Sequence, residues 1–78
     1  MLGRMEKPSK PELIELGHRI AKLRKKRGIT LEKLAYEMGI SKGNLSDVEH
    51  GKRDSRYTTL RAIAEGLDMP ISQLLRDL

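Results

Sequence analysis

The stretch from Thr30 to Gly51, TLEKLAYEMGISKGNLSDVEHG, leaves room for very few folds. It holds two short amphipathic segments that meet at Gly39, and each has a polar starter, Thr30 for the first and Ser41 for the second. The side-chain oxygen of such a starter accepts a hydrogen bond from an N–H that the first turn of a helix leaves unpaired. The spacing of Ala35, Gly39 and Leu45 suits two helices crossing steeply through a tight turn. A small residue at 35 permits close approach, a glycine at 39 takes the left-handed conformation a helix end needs, and Leu45 fills the gap between the helices. The outer side of the second helix is then free to touch something outside the chain. In a basic chain that partner is expected to be the major groove of DNA.

The chain has 78 residues, enough for one domain. A domain this small buries only about 60% of the surface of its unfolded chain, so its core is modest. Phe and Trp are absent and only Tyr36 and Tyr57 are aromatic, so the core must be aliphatic. With no cysteine there is no disulfide and no thiolate metal site. No apolar run approaches the length that spans a bilayer, and no signal-like apolar core follows the first residues, which predicts a cytoplasmic protein with no membrane partner.

The formal charge is +5, unevenly spread. Arg19, Lys22, Arg24, Lys25, Lys26 and Arg27 follow one another without an acid, whereas the leucine-rich rear carries a small acid excess in Glu65, Asp68, Arg76 and Asp77. Two surfaces are expected, one for a polyanion and one for a protein. The basic run also reads as a solvated helix face; its position beside the two-helix unit favours the polyanion.

Residues 1–11 are polar, carry Pro8 and Pro11, and are expected to be a flexible N-terminal segment. A first helix is predicted over 12–27, with Leu13, Leu16, Ile20 and Leu23 in one stripe and Gly28 as its stop. The second and third helices follow Thr30 and Ser41. On the third, Leu45 and Val48 point inward and Lys42, Gly43, Asn44, Ser46 and Asp47 outward. Gly43 costs helix propensity, up to about 1 kcal/mol against Ala, and marks either a close approach or a tolerated glycine. A fourth helix is predicted over 56–66, capped by Ser55, and a short fifth over 71–77, opened by Pro70. No strand-like alternation or repeat appears. The expectation is an all-α domain of five helices over 12–78.

In the order LGHRIAKLRKKRGIT, LEKLAYEMGIS, LSDVEHGKR and LRAIAEGLDMPISQLL, these pieces align without a gap over residues 16–75. So read, the chain resembles the Cro/C1-type (XRE-like) helix-turn-helix family of phage repressors and restriction–modification controller proteins. The resemblance implies a lambda-repressor-like fold in which the third helix enters the DNA groove. Lys42, Gly43 and Asp47 match base-reading positions; Lys donates to guanine O6 and N7, and Asp accepts from cytosine N4. Asn44 matches a phosphate contact, and Lys52, Arg53 and Arg56 match the loop that grips the DNA backbone. Arg24 and Glu49 match an ion pair tying the first helix to the end of the third. Two positions depart from the pattern. Leu31 stands where a Gln usually contacts phosphate and braces the recognition helix, so the Thr30 hydroxyl or helix N-termini such as that after Ser41 are expected to serve the backbone instead. Ser55 replaces the usual proline before the fourth helix.

Met69, Ile71, Leu74, Leu75 and Leu78 offer more apolar surface than a short last helix buries alone. They are expected to form a two-fold homodimer that presents two recognition helices to a pseudo-palindromic operator. The competing reading is a protein-interaction module, antitoxin-like or a scaffold, that keeps the fold. His18 and His50 lie far apart in sequence and no metal-ligand spacing occurs, so no metal, cofactor or small-molecule ligand is expected. No Ser–His–acid arrangement suggests an enzyme.

Overall fold

A computed structural model describes residues 10–78 of the chain. Of the segment expected at 1–11, residues 1–9 lie outside that description, and Pro11 is already helical. Five helices follow in order: α1 (Pro11–Lys26), α2 (Leu31–Met38), α3 (Lys42–Glu49), α4 (Tyr57–Gly66) and α5 (Ile71–Leu74). No strand occurs among the described residues, and the fold is all-α.

Local chemistry explains most of the ends. Pro11 opens α1 because its missing N–H is one the first turn leaves unpaired anyway, so the helix begins one residue before the expected position. Arg24, Lys25 and Lys26 form the last turn, where cations meet the negative end of the helix dipole. The Oγ1 of Thr30 accepts from the Lys33 N–H at 3.1 Å, and the Oγ of Ser41 accepts from the Asn44 N–H at 3.0 Å. Gly39 ends α2 at φ +68°, which lets the Ile40 N–H turn back to the Ala35 carbonyl at 2.9 Å.

Two rear elements differ from expectation. The N-cap of α4 is Arg56, not Ser55, and no side chain caps that helix. The Ser55 hydroxyl lies one residue too early and is buried without a hydrogen-bond partner among the described residues. The fifth helix is one turn long, Ile71–Leu74, and continues as turns through Asp77, which sits at φ +63°.

Every helix contributes to one aliphatic core. Ile20, Leu34, Leu45, Ile63 and Leu74 come from α1 to α5, and Leu67 follows α4; all six are fully buried. Leu16 and Leu23 of the expected α1 stripe pack against them, whereas Leu13 is only half-buried and lies outside the cluster. Two glycines inside helices let the backbones close up. A Cβ on Gly17 would press on the Val48 and Glu49 carbonyls, and one on Gly66 would sit 2.8 Å from the Met38 Cγ. These contacts fix α1 against α3 and α4 against α2. No helix among the described residues is long and apolar enough to cross a membrane.

Candidate nucleic-acid interface

The outer side of α3 is open. Lys42 and Gly43 are exposed, Asp47 is half-exposed, and the opposite side buries Leu45, Val48 and Glu49. A Cβ added to Gly43 would meet no atom within 4 Å. Close packing inside the chain therefore does not explain this glycine. It leaves bare backbone facing outward at the second residue of α3.

What holds α3 in place is a buried ion pair. The Nε of Arg24 donates to Glu49 at 2.7 Å and its Nη2 donates to the other carboxylate oxygen at 3.1 Å. The side chains are 11% and 7% exposed, and Nη1 of the same guanidinium donates to the Ile29 carbonyl at 2.8 Å. One planar fork thus joins α1, the loop before α2 and the last turn of α3. The hydrogen bond to Glu49 raises the Arg24 pKa above its ordinary value, against the opposing effect of burial.

The remaining candidates gather around this helix. Thr30 and Ser41 use their hydroxyl oxygens as caps, stay exposed, and keep an O–H to donate. Asn44 is partly buried, and its Oδ1 is sealed off without a hydrogen-bond partner among the described residues. Lys52, Arg53 and Arg56 are exposed along the loop between α3 and α4.

Several of these charges are already paired. Lys42 Nζ lies 2.9 Å from Glu32, and Arg53 lies 3.5 Å from Asp47. Lys33 lies 3.8 Å from Glu37. The Lys42–Glu32 contact bridges the starts of α3 and α2, which is the region where the absent Gln would have braced the recognition helix. Leu31 itself is half-buried against the core. Composition gave no sign of this bridge, because its partners lie ten residues apart and meet only when the turn at Gly39 folds.

The basic run on α1, expected to meet a polyanion, is divided among several surfaces of the fold. Arg24 belongs to the buried pair. Arg19 donates to the Leu74 carbonyl at 3.1 Å and to the Arg76 carbonyl, tying α1 to the chain end. Arg27 approaches Asp68 at 3.7 Å. Lys22 and Lys26 line a cleft with Met69, Gln73 and Arg76, whereas Lys25 lines another with Ser46 and His50 on the α3 side. Helical geometry divides the run because residues three and four apart share a side, and neighbours do not. His18 and His50, distant in sequence, border the same cleft beside α3.

On the dimer candidates the structure requires one correction. Leu74 is wholly buried in its own core and has no surface to offer. Met69, Ile71 and Leu75 are half-buried, and Leu78 is 43% exposed. Met69 and Ile71 border an open groove with Arg61, Ala62 and Glu65 of α4.

A helical hairpin closed at Gly39, with its second helix anchored from behind and bare in front, defines a class of protein. The helix-turn-helix family HTH_3 matches residues 20–74, and the chain belongs to it. It is 32% identical over 66 residues to the control protein C.MunI of Mycoplasma sp, a match covering 83% of this chain and 89% of that protein. The restriction–modification controller C.AhdI of Aeromonas hydrophila superposes with a TM-score of 0.82 at 27% identity, over 85% of this chain and 100% of the other. The controller C.Esp1396I, seen as a tetramer on its natural 35 base-pair operator, superposes with a TM-score of 0.77 at 26% identity, over 83% and 86% of the two chains. The chain spans between 32% and 89% of the length of the curated relatives it matches.

Proposed function

We propose that this protein is a sequence-specific double-stranded DNA-binding regulator of transcription that acts as a homodimer on a pseudo-palindromic operator. The observation that carries the reading is the exposed Lys42–Gly43 start of α3, held from behind by the buried Arg24–Glu49 pair. A helix fixed in this way presents side chains to base edges without rearrangement. Membership of the helix-turn-helix family and the operator complex of C.Esp1396I support the same reading.

In the proposed complex Lys42 and Asp47 read bases, Gly43 lets the backbone come close, and Thr30, Ser41, Asn44, Lys52, Arg53 and Arg56 hold phosphates. The partner copy docks along α4 and α5 through Met69, Ile71, Leu75 and Leu78. Regulation follows concentration, because dimerisation precedes operator occupancy.

Binding to a palindromic duplex at about 50 and 200 mM salt tests this. Three loop cations per subunit predict a fall of about a thousandfold over that range in a dimer. Lys42→Ala should relax base preference, and Arg53→Ala should weaken all duplexes alike. A nearly flat salt response, or two variants that behave identically, contradicts the assignment.

A further inference from the structure

The Lys42 ammonium is held in the DNA-free protein. Its Nζ lies 2.9 Å from a carboxylate oxygen of Glu32, in the first turn of α2. The two side chains are 63% and 62% exposed, so packing does not force the contact, and a pair this wet contributes little to stability. The carboxyl of Glu32 is held below the usual carboxylate range, first by the hydrogen bond from Lys42 and then by a backbone hydrogen bond at its own residue. The helix dipole favours an acid in the first turn of α2, but it does not require one that reaches α3. An unpaired carboxylate at this edge would also oppose the phosphates of a bound duplex.

We propose that Glu32 is a specificity-determining residue: by holding the Lys42 ammonium at the start of α3, it makes that cation a reader of base edges instead of a general phosphate contact. The inference rests on the DNA-binding reading above. An ammonium has three N–H donors. One donated to Glu32 leaves two for guanine O6 and N7. Where the base presents an amino group instead, donor meets donor and the contact is lost. A lysine on a flexible four-carbon stem would then swing to the nearest phosphate and recover affinity. With Glu32 in place, that swing breaks the pair and strands a carboxylate beside the DNA backbone. Mismatched duplexes therefore gain nothing from Lys42, and because the pair has no net charge, its non-specific attraction is weak.

The test compares wild type with Glu32→Gln on a duplex that the wild type selects from a random pool and on a shuffled duplex of equal composition. The substitution should strengthen binding to the shuffled duplex more than to the selected one, so the ratio of the two affinities falls about three- to tenfold. The salt dependence on the shuffled duplex should steepen by about one unit per subunit as Lys42 turns to phosphate. Glu32→Asp keeps the charge but shortens the reach by one methylene, so its ratio should fall as well. In a Lys42→Ala background, Glu32→Gln should leave the ratio unchanged. An unchanged ratio in Glu32→Gln, with the wild type still preferring the selected duplex, overturns the role of Glu32 and leaves the DNA reading standing. A ratio that Asp keeps and Gln loses assigns the effect to charge alone and overturns the holding role. So does a fall that persists without Lys42. A wild type that selects no duplex overturns the DNA reading and this inference together.

Discussion

Arg24 joins three parts of the fold through one side chain. Its guanidinium satisfies Glu49 with two hydrogen bonds and closes the loop before α2 with a third. Removing one partner leaves a buried charge alone, which costs about 3–5 kcal/mol, while replacing both with apolar residues of similar volume costs far less. Urea denaturation should therefore show Arg24→Met and Glu49→Leu each strongly destabilised, with the double variant recovering most of the loss. Additive losses would mean that the pair is solvated. The resemblance placed this pair correctly, because both partners fall on matching positions. Gly17 was not legible, although its contact with the Val48 and Glu49 carbonyls sets how closely α1 meets α3. A glycine within a helix has no local signature that separates a tolerated residue from a required one. Gly43 carried the same ambiguity, and there the space proved to be open on the outside.

Among the elements, α2 and α3 were the most legible, because starter, apolar spacing and terminal glycine all agree within one short stretch. Agreement weakened toward the rear. Ser55 has the chemistry of a cap, but α4 starts too late for its hydroxyl to reach a free N–H. The fifth helix reads longer in sequence because Leu74, Leu75 and Leu78 look equally apolar, yet only Leu74 is fully buried, Leu75 packs partly against the core, and Leu78 is 43% exposed. This division predicts two different phenotypes. Leu78→Glu should leave helix content and melting nearly unchanged and shift the protein toward monomer in sedimentation equilibrium. Leu74→Ala should instead cost about 2–5 kcal/mol of stability, measured by urea denaturation, because it opens a cavity in the core. A dimer unaffected by Leu78→Glu would place the interface elsewhere.

For the molecule as a whole, net charge says little about how the contacts are arranged. The excess of cations is real, but Arg19 and Arg24 serve internal joints, and Lys42 and Arg53 are balanced by Glu32 and Asp47. Lys52 and Arg56 lie exposed along the loop with no ion pair among the described residues. Much of the positive charge is therefore engaged within the chain, and less of it is free than composition implies. On the proposed reading one small subunit contacts few base pairs, so two subunits related by symmetry are needed. Selection of bound duplexes from a random pool tests that requirement most directly. An enriched inverted repeat is expected, with half-site centres about 34 Å, or one helical turn, apart. Enrichment of a single asymmetric site, or of none, would contradict it.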